Sequence, residues 1–557
     1  MVDTIRQLAA LQAILLDNSS GQISPQDLRD FLVSAVPSGR SATKVVASAS
    51  TSDLQKAQAD YVLGGPDINT AIAAAGEGRV ELTEGTFTLA SPITDQDKDN
   101  ITLEGQGLST IITVGTDAGI KLFDFSDTRN PKTGWVFRNF KVDGNKANQG
   151  GTAIDSFQVF RMNHLADGRF ENVEIVNAYS ESVRLEGTSV RNVITRCKIK
   201  DSLDAGILLI GAAVAYNKIL GNWIGGTEQD GGISIGSGAS HNAVIGNTID
   251  QGAADGSLGI LVEGPTGSSI GNKLCLNTIV MVAGTTRPGI QVANAETLGL
   301  LIEGNWIEGA QEGVLLAAGT LGVIVGFNHI TGCATGIKAV GDHHDIQHNK
   351  VWLCTGSGLW IQGDYNDIIA NESKNNVTAG IYLDTATHCK VQQNRCTDDQ
   401  GVKTQVSGIQ EGNGADFNDI TDNNVEGNKT NNIKAAGIGA STVVENNRGS
   451  IVDRKLIDPG NAGAIPVTKS GHLPLVTAGA ETRTLAAPDA IGRELTLYCK
   501  TFVGNAVVTC ATTVNEAGNN TITFTATGQA CRLYAVEEGS TLRWRLASVD
   551  GATLSTV

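Results

Sequence analysis

A short doublet, glycine followed by isoleucine or a close relative, recurs along the middle of this chain. It stands at Gly206-Ile207, Gly232-Ile233, Gly259-Ile260, Gly289-Ile290, Gly313-Val314, Gly336-Ile337, Gly358-Leu359, Gly380-Ile381 and Gly408-Ile409. The step of roughly 22 to 30 residues is that of one solenoid coil. Between the doublets stands an asparagine: Asn222, Asn247, Asn277, Asn305, Asn328, Asn349, Asn371, Asn394 and Asn423. Three residues before each asparagine is an aliphatic residue: Ile219, Val244, Leu274, Ile302, Val325, Ile346, Ile368, Val391 and Ile420. Three short β-prone segments per repeat, parted by Gly, Asn and Asp, predict an all-β chain whose coils stack as a parallel β-helix.

One coil cannot hide its inner face, because side chains along a strand alternate in and out and a single layer has no partner. Stacking at about 4.8 Å per coil pairs each strand with its equivalents above and below. It also sets each repeated asparagine over its own copy, where the amides can bond along the axis. The leucine-rich repeat has the same period but needs Leu-x-x-Leu-x-Leu, which is absent here. Residues 130–450 also lack the 3.6-residue apolar rhythm of helical solenoids.

With 557 residues the chain exceeds one ordinary core, so two or three units are expected. Its net charge of −17 argues against a nucleic-acid partner, whose phosphates it would repel, and keeps an elongated surface soluble. No apolar run reaches the length of a membrane span, and Ile5–Leu16 is too polar for a signal peptide, so synthesis in a cytoplasm is expected. The nine cysteines are scattered; Cys197 takes the asparagine slot of one coil, and Cys333 and Cys354 share an offset in adjacent coils. They read as small core residues.

Residues 1–52 read as a short head of two helices, over 2–18 and 24–37, followed by a Ser-, Ala- and Thr-rich linker over 40–52. Residues 53–450 read as the capped β-helix, opening with a short amphipathic helix at Pro66–Ile72 that shields the first strand edges. Residues 451–557 carry alternating segments such as Glu494–Tyr498, Ala506–Thr509, Asn520–Phe524, Cys531–Ala535 and Thr541–Arg545, which predict a small antiparallel β-sandwich.

The cap at Pro66–Ile72, followed by Gly78-Arg79-Val80-Glu81-Leu82-Thr83-Glu84-Gly85-Thr86-Phe87, resembles the opening of pectate-lyase-like right-handed β-helix proteins. The order of helical head, capped β-helix and β-rich C-terminal domain resembles bacteriophage tailspike and tail-fibre depolymerases. That resemblance implies a homotrimer in a virion tail, made in the host cytoplasm and attached to tail or baseplate by the head. It also implies a β-helix that cuts a bacterial surface polysaccharide, capsule or O-antigen. The C-terminal domain would serve trimerisation or carbohydrate binding. The Arg-x-Pro-x-x-Arg of pectate lyases and the Gly-His-Gly and Arg-Ile-Lys of polygalacturonases are absent, so no catalytic residue carries over.

The site must then come from the residues. Asp204 and Asp230 hold the same position, two before the doublet glycine, in adjacent coils, with Asp201, Glu228 and Asp255 close by in sequence. Glycoside hydrolysis needs two carboxyl groups, one to protonate the leaving oxygen and one to attack or to activate water. Asp204, Asp230 and Glu228 are the catalytic candidates, Asp201 and Asp255 substrate contacts; acids also favour solvated turns, the plainer account of each. Trp360 and Tyr382 follow the doublet, and Trp223 and Trp306 follow the ladder asparagine, so these four rings face outward where a sugar could stack or a subunit seam could close. Asp342-His343-His344-Asp345 with His348 sits at a turn with alternating directions, and neither metal nor other cofactor is expected. Arg161, Arg184, Lys198 and His164 would instead suit a lyase, in which a cation neutralises a uronate and a base takes the C5 proton. Three functions stand: a glycoside hydrolase, a polysaccharide lyase and a purely adhesive fibre.

Overall fold

The computed structural model describes residues 43–556, apart from 63, 127–130, 151–156, 253–256, 265–268, 283, 294–298, 435–438, 440, 450–455, 469, 516, 517 and 540. The two head helices expected before residue 38 lie outside the described residues. The chain divides into two compact units, Met1–Asp367 with Asn371–Thr378, and Ile368–Ala370 with Ala379–Val557.

The first unit is a parallel β-helix of three strands per coil. One column runs through Ile207–Ile210, Gly231–Gly236, Leu258–Glu263, Ile290–Ala293, Glu312–Leu316, Thr335–Ala339 and Leu359–Ile361. Its register joins Ile207 to Ile233, Ile260, Ile290, Val314, Ile337 and Leu359, so the doublet marks one point of every coil. All seven of these side chains are fully buried. The glycine before each has a steric reason: a Cβ on Gly259 would lie 2.3 Å from the carbonyl oxygen of Gly289 in the coil above. The other two columns are three-residue strands set as pairs, such as Lys218–Leu220 with Trp223–Gly225 and Ala243–Ile245 with Thr248–Asp250. Their central Ile219, Ile224, Val244 and Ile249 point inward and are fully buried.

The asparagines form the expected ladder. Asn222 donates its backbone N–H and its Nδ2 to Asn247 Oδ1, both at 2.9 Å, and Nδ2 also donates to the Ile194 carbonyl at 2.9 Å. The pattern repeats at each coil up to Asn349, which donates to Asn371. Cys197 fills the asparagine slot as expected and donates its N–H to Asn222 Oδ1. A second ladder was not anticipated: Asn192, Asn217, Asn242 and Asn272, each five residues before a first-ladder residue, bond in the same way. His344 occupies a rung of this second series, bound by Asn366 Oδ1.

The stretch read as a linker contains the strand Thr43–Ala47, which pairs in parallel with Arg79–Leu82, so the stacking begins earlier than the composition suggested. Its Val45-Val46-Ala47 segment is buried, and burial rather than the flanking Ser and Ala decides its structure. The cap is the helix Gly64–Ala75, with Ile68, Ala71 and Ile72 fully buried against the first strands. Early coils are filled by aromatic rings, Phe123 and Phe160 stacking 4.2 Å apart.

The second unit continues the motif with strands Ala379–Leu383, Ser407–Glu411 and Asn431–Ile433 and a ladder from Asn394 through Asn423 to Asn447. It then forms two packed sheets around Leu473, Leu475, Leu497, Phe524 and Trp544. The antiparallel pairs expected of a sandwich are present, Glu494–Thr501 against Ala530–Glu538 and Ala506–Cys510 against Thr521–Phe524. Each sheet also holds parallel pairs, Gly471–Val476 with Glu494–Thr501 and Glu481–Leu485 with Ala506–Cys510. Successive strands here alternate between the sheets, so each returns to its own sheet in the same direction before the chain turns antiparallel.

Candidate active site

Asp230 ends the turn that leads into Gly231–Gly236, and the structure gives it the most unusual carboxyl environment of the predicted set. In the outward register of this sheet stand Arg184, Leu208, Ser234 and Leu261 on four successive coils. Leu208 and Leu261 face out yet are only 9% and 6% exposed, so they form an apolar floor under polar groups. Burial pushes the Asp230 carboxyl up from its ordinary value, the negative charge of Glu181 pushes the same way, and contacts with Ser234 and the Gly231 N–H only partly offset them. The fully buried Ser234 hydroxyl stands beside Asp230 and favours its charged form.

Glu263, the last residue of Leu258–Glu263 on the next coil, is the second carboxyl of the group. Burial pushes it up, and the Asp230 charge adds to the shift. The expectation did not include it, because a glutamate closing an outward strand looks like ordinary surface. Glu181 is buried and held by Gln158 Nε2 at 3.1 Å, by the Ser180 hydroxyl and by Arg184 at 3.0 Å. Arg161 and Arg184 both donate to Glu186, at 2.6 and 2.8 Å. Burial alone would raise Glu186, but the two guanidiniums outweigh it and hold that carboxyl below its ordinary range. One stretch of sheet therefore carries a neutralised ion-pair network beside two carboxyls raised above their ordinary values.

Glu228, two residues before Asp230, faces elsewhere. It takes an ion pair from Lys146 Nζ at 2.6 Å, and the same ammonium donates to the Asp201 carbonyl at 2.8 Å. Glu228 and Asp201 line an open cleft of about 450 Å³ together with Lys200, Trp223 and Asp250. The Trp223 ring lies over Gly225, where a Cβ would meet it at 2.8 Å, and Lys198 Nζ stands 5.9 Å from its centre. Asp201, Trp223 and Glu228 are thus brought together, while Asp230 is not among the residues of that cleft. Asp204 is half-buried in the bend before Ile207–Ile210, one coil from Asp230 by register. Asp255 lies outside the described residues.

Trp306 lies three coils beyond Trp223 in the same outward column and is not part of the cleft. Trp360 faces outward with Lys338 Nζ 4.7 Å from its ring centre. Tyr382, in the second unit, donates its hydroxyl to Asp384 at 2.8 Å; burial first and then that carboxylate push it up to about 12. Of the lyase candidates, Arg161 and Arg184 are committed to carboxylates, and His164 Nδ1 bonds Thr188 at 2.8 Å.

Residues 160–351 match the profile described as right handed beta helix region, and residues 270–455 that of the periplasmic copper-binding protein NosD. The first gives the coil its right hand. The copper of the second finds no counterpart in the donors: no group of three His, Cys, Asp or Glu among the described residues could hold a metal. His344, at the centre of the histidine run, is buried with Thr320 on Nε2 and the Val323 N–H on Nδ1; burial and His343 push it down to about 4. Comparison with curated proteins finds no match. Among solved structures, the chain is similar to the A-module of a mannuronan C-5 epimerase from Azotobacter vinelandii, at 15% identity over 69% of this chain and 94% of that one, TM-score 0.35. It is similar to tailspike protein 3 of bacteriophage CBA120 at 15% identity, covering 81% and 68%, TM-score 0.41. It is also similar to the catalytic unit of an α-1,3-glucanase from Streptomyces thermodiastaticus at 14%, covering 70% and 66%, TM-score 0.39. These likenesses concern the coil, and the chemistry has to be argued from this chain's own residues.

Proposed function

We propose that this chain binds and hydrolyses a bacterial surface polysaccharide, with Asp230 as the protonated acid and Glu263 as its partner carboxylate. The observation that carries this reading is the pair itself: two carboxyls on neighbouring coils, both raised by burial and coupled through the Asp230 charge, with the buried Ser234 hydroxyl beside Asp230. Asp230 gives its proton to the glycosidic oxygen as the C–O bond breaks. Glu263, the more exposed, either takes a proton from the attacking water or itself bonds the anomeric carbon. Glu263 thereby replaces Glu228 in the catalytic role, because Glu228 is already neutralised by Lys146. Hydrolysis is favoured over a lyase because the arginines a lyase would turn toward a uronate are already bound to Glu181 and Glu186. Placement in a phage tail, as a homotrimer, rests on the resemblance of the order of parts to tailspikes and on nothing in the site.

The test is incubation of the purified protein with capsular and O-antigen polysaccharides. New reducing ends without absorbance near 235 nm are the expected result. Absorbance there would make it a lyase, and binding without shortening would make it an adhesin. A light-scattering mass near that of one chain would reject the trimer.

A further inference from the structure

Well away from Asp230, another face of the first unit carries a run of rings. Trp306, His329 and Lys350 succeed one another in one outward column, and Glu308, Thr331 and Trp352 in the next. Trp306 is 42% exposed and lies face to face with His329, centroids 4.1 Å apart and planes 2° from parallel. His329 meets Trp352 edge-on at 5.1 Å, and Lys374 Nζ stands 5.6 Å from the Trp352 ring. Burial and Lys350 push the His329 pKa down, so the stack is of neutral rings at pH 7. Beside them Phe327, 57% exposed with a left-handed backbone of φ 55°, stacks on His348 with ring centroids 4.8 Å apart.

Polar groups stand among the rings. Trp306 Nε1 reaches Glu308 only at 3.5 Å, and the Trp352 Nε1–H is buried without a partner. Flat apolar surface with donors and an acceptor at its margins is the complement of a sugar ring, apolar on its faces and hydroxylated around its edge. A seam between copies of the chain is the competing use, but the centre of such an interface is depleted of Lys and Glu. Here Glu308, Lys350 and Lys374 lie within the run.

We infer that the Trp306–His329–Trp352 strip is a second, non-catalytic carbohydrate site that holds a polysaccharide strand along the coil axis. Two coil steps separate Trp306 from Trp352, about 10 Å along the axis, enough for two or three sugar rings. The strip extends the proposed function, since a chain held at two places stays bound after one cut.

The test uses full-length Asp230→Asn protein, so that binding is read without cleavage, in native gels cast with dextran, alginate, hyaluronan or purified O-antigen polysaccharide. Retardation by at least one polymer is expected, with Trp306→Ala and Trp352→Ala each weakening apparent affinity about tenfold or more. Trp306→Phe should keep most of it, and melting should be unchanged for the Trp306 variants. No retardation by any polymer, or equal retardation of parent and both alanine variants, overturns the inference. So does a light-scattering mass that falls on Trp306→Ala, which would assign the strip to a second copy. Loss of cleavage is scored separately with Asp230 intact, so a strip that binds on a protein that never cuts overturns only the hydrolase reading.

Discussion

Glu228 and Asp230 are two residues apart on one turn and end in opposite chemical states. Glu228 meets an ammonium at 2.6 Å on the rim of an open cleft. Asp230 is coupled to Glu181 and Glu263, and burial disfavours its charge, which only Ser234 and one N–H favour. The same residue class, in the same stretch of sequence, is a solvated ion pair on one side and a poised acid on the other. What separates them is burial, which raises the Asp230 pKa while Glu228 stands exposed beside Lys146.

The most severe way to break the contrast is to destroy the strand that creates it. Ile233→Asp puts an unpaired charge into a fully buried column, and soluble expression should be lost; normal yield and melting would show the register to be wrong. Next in size is Asp230→Asn, which keeps shape and removes the proton, with an expected fall in turnover of about 10² to 10⁴ while the fold persists. Glu263→Gln should fall in the same range, and wild-type rates for both would place the site elsewhere.

A subtler effect concerns stability. The folded-state pKa of Asp230 lies above its ordinary value of 3.8. Between those two values the folded chain binds more protons than the unfolded one, so stability falls as pH rises through that window. Asp230→Asn should therefore melt higher than wild type at pH 7, and the gain should vanish below about pH 3.8. An equal gain at both pH values would mean that charge is not the cause. Smallest is Glu228→Gln, which loosens a partly exposed pair worth about 0 to 1 kcal/mol and should leave melting and turnover nearly unchanged. A large loss of turnover there would move the catalytic centre to the cleft.

The coil could be read in the sequence because its constraint repeats. Stacking makes Ile207, Ile233, Ile260 and their successors solve one packing problem, so the same answer recurs at a fixed step. The second asparagine ladder obeys the same logic and was legible in the Asn-x-x-x-x-Asn spacing of 217 and 222, 242 and 247, 272 and 277; its interruptions, as at His344, hid it. Asp230 could be picked out as one of a crowd of acids, but not told from Glu228, because a turn of irregular backbone decides which way each faces. Glu263 gave no signal at all: its role depends on a neighbour one coil away that the sequence does not mark. Thr43–Ala47 was obscured by its Ser- and Ala-rich flanks, a composition typical of linkers.

The asparagine ladder sets a rule for how such a chain can change length. Each rung ties three groups in neighbouring coils, so an insertion of one or two residues between rungs must bulge out as a loop or leave amides orphaned, each at about 1 to 3 kcal/mol. Duplication of a whole turn leaves every rung with a partner above and below. Length is therefore quantised: the protein can gain or lose reach by single turns at little thermodynamic penalty, while variation within a turn falls to the connections outside the ladder, where Lys146 and Asp230 stand.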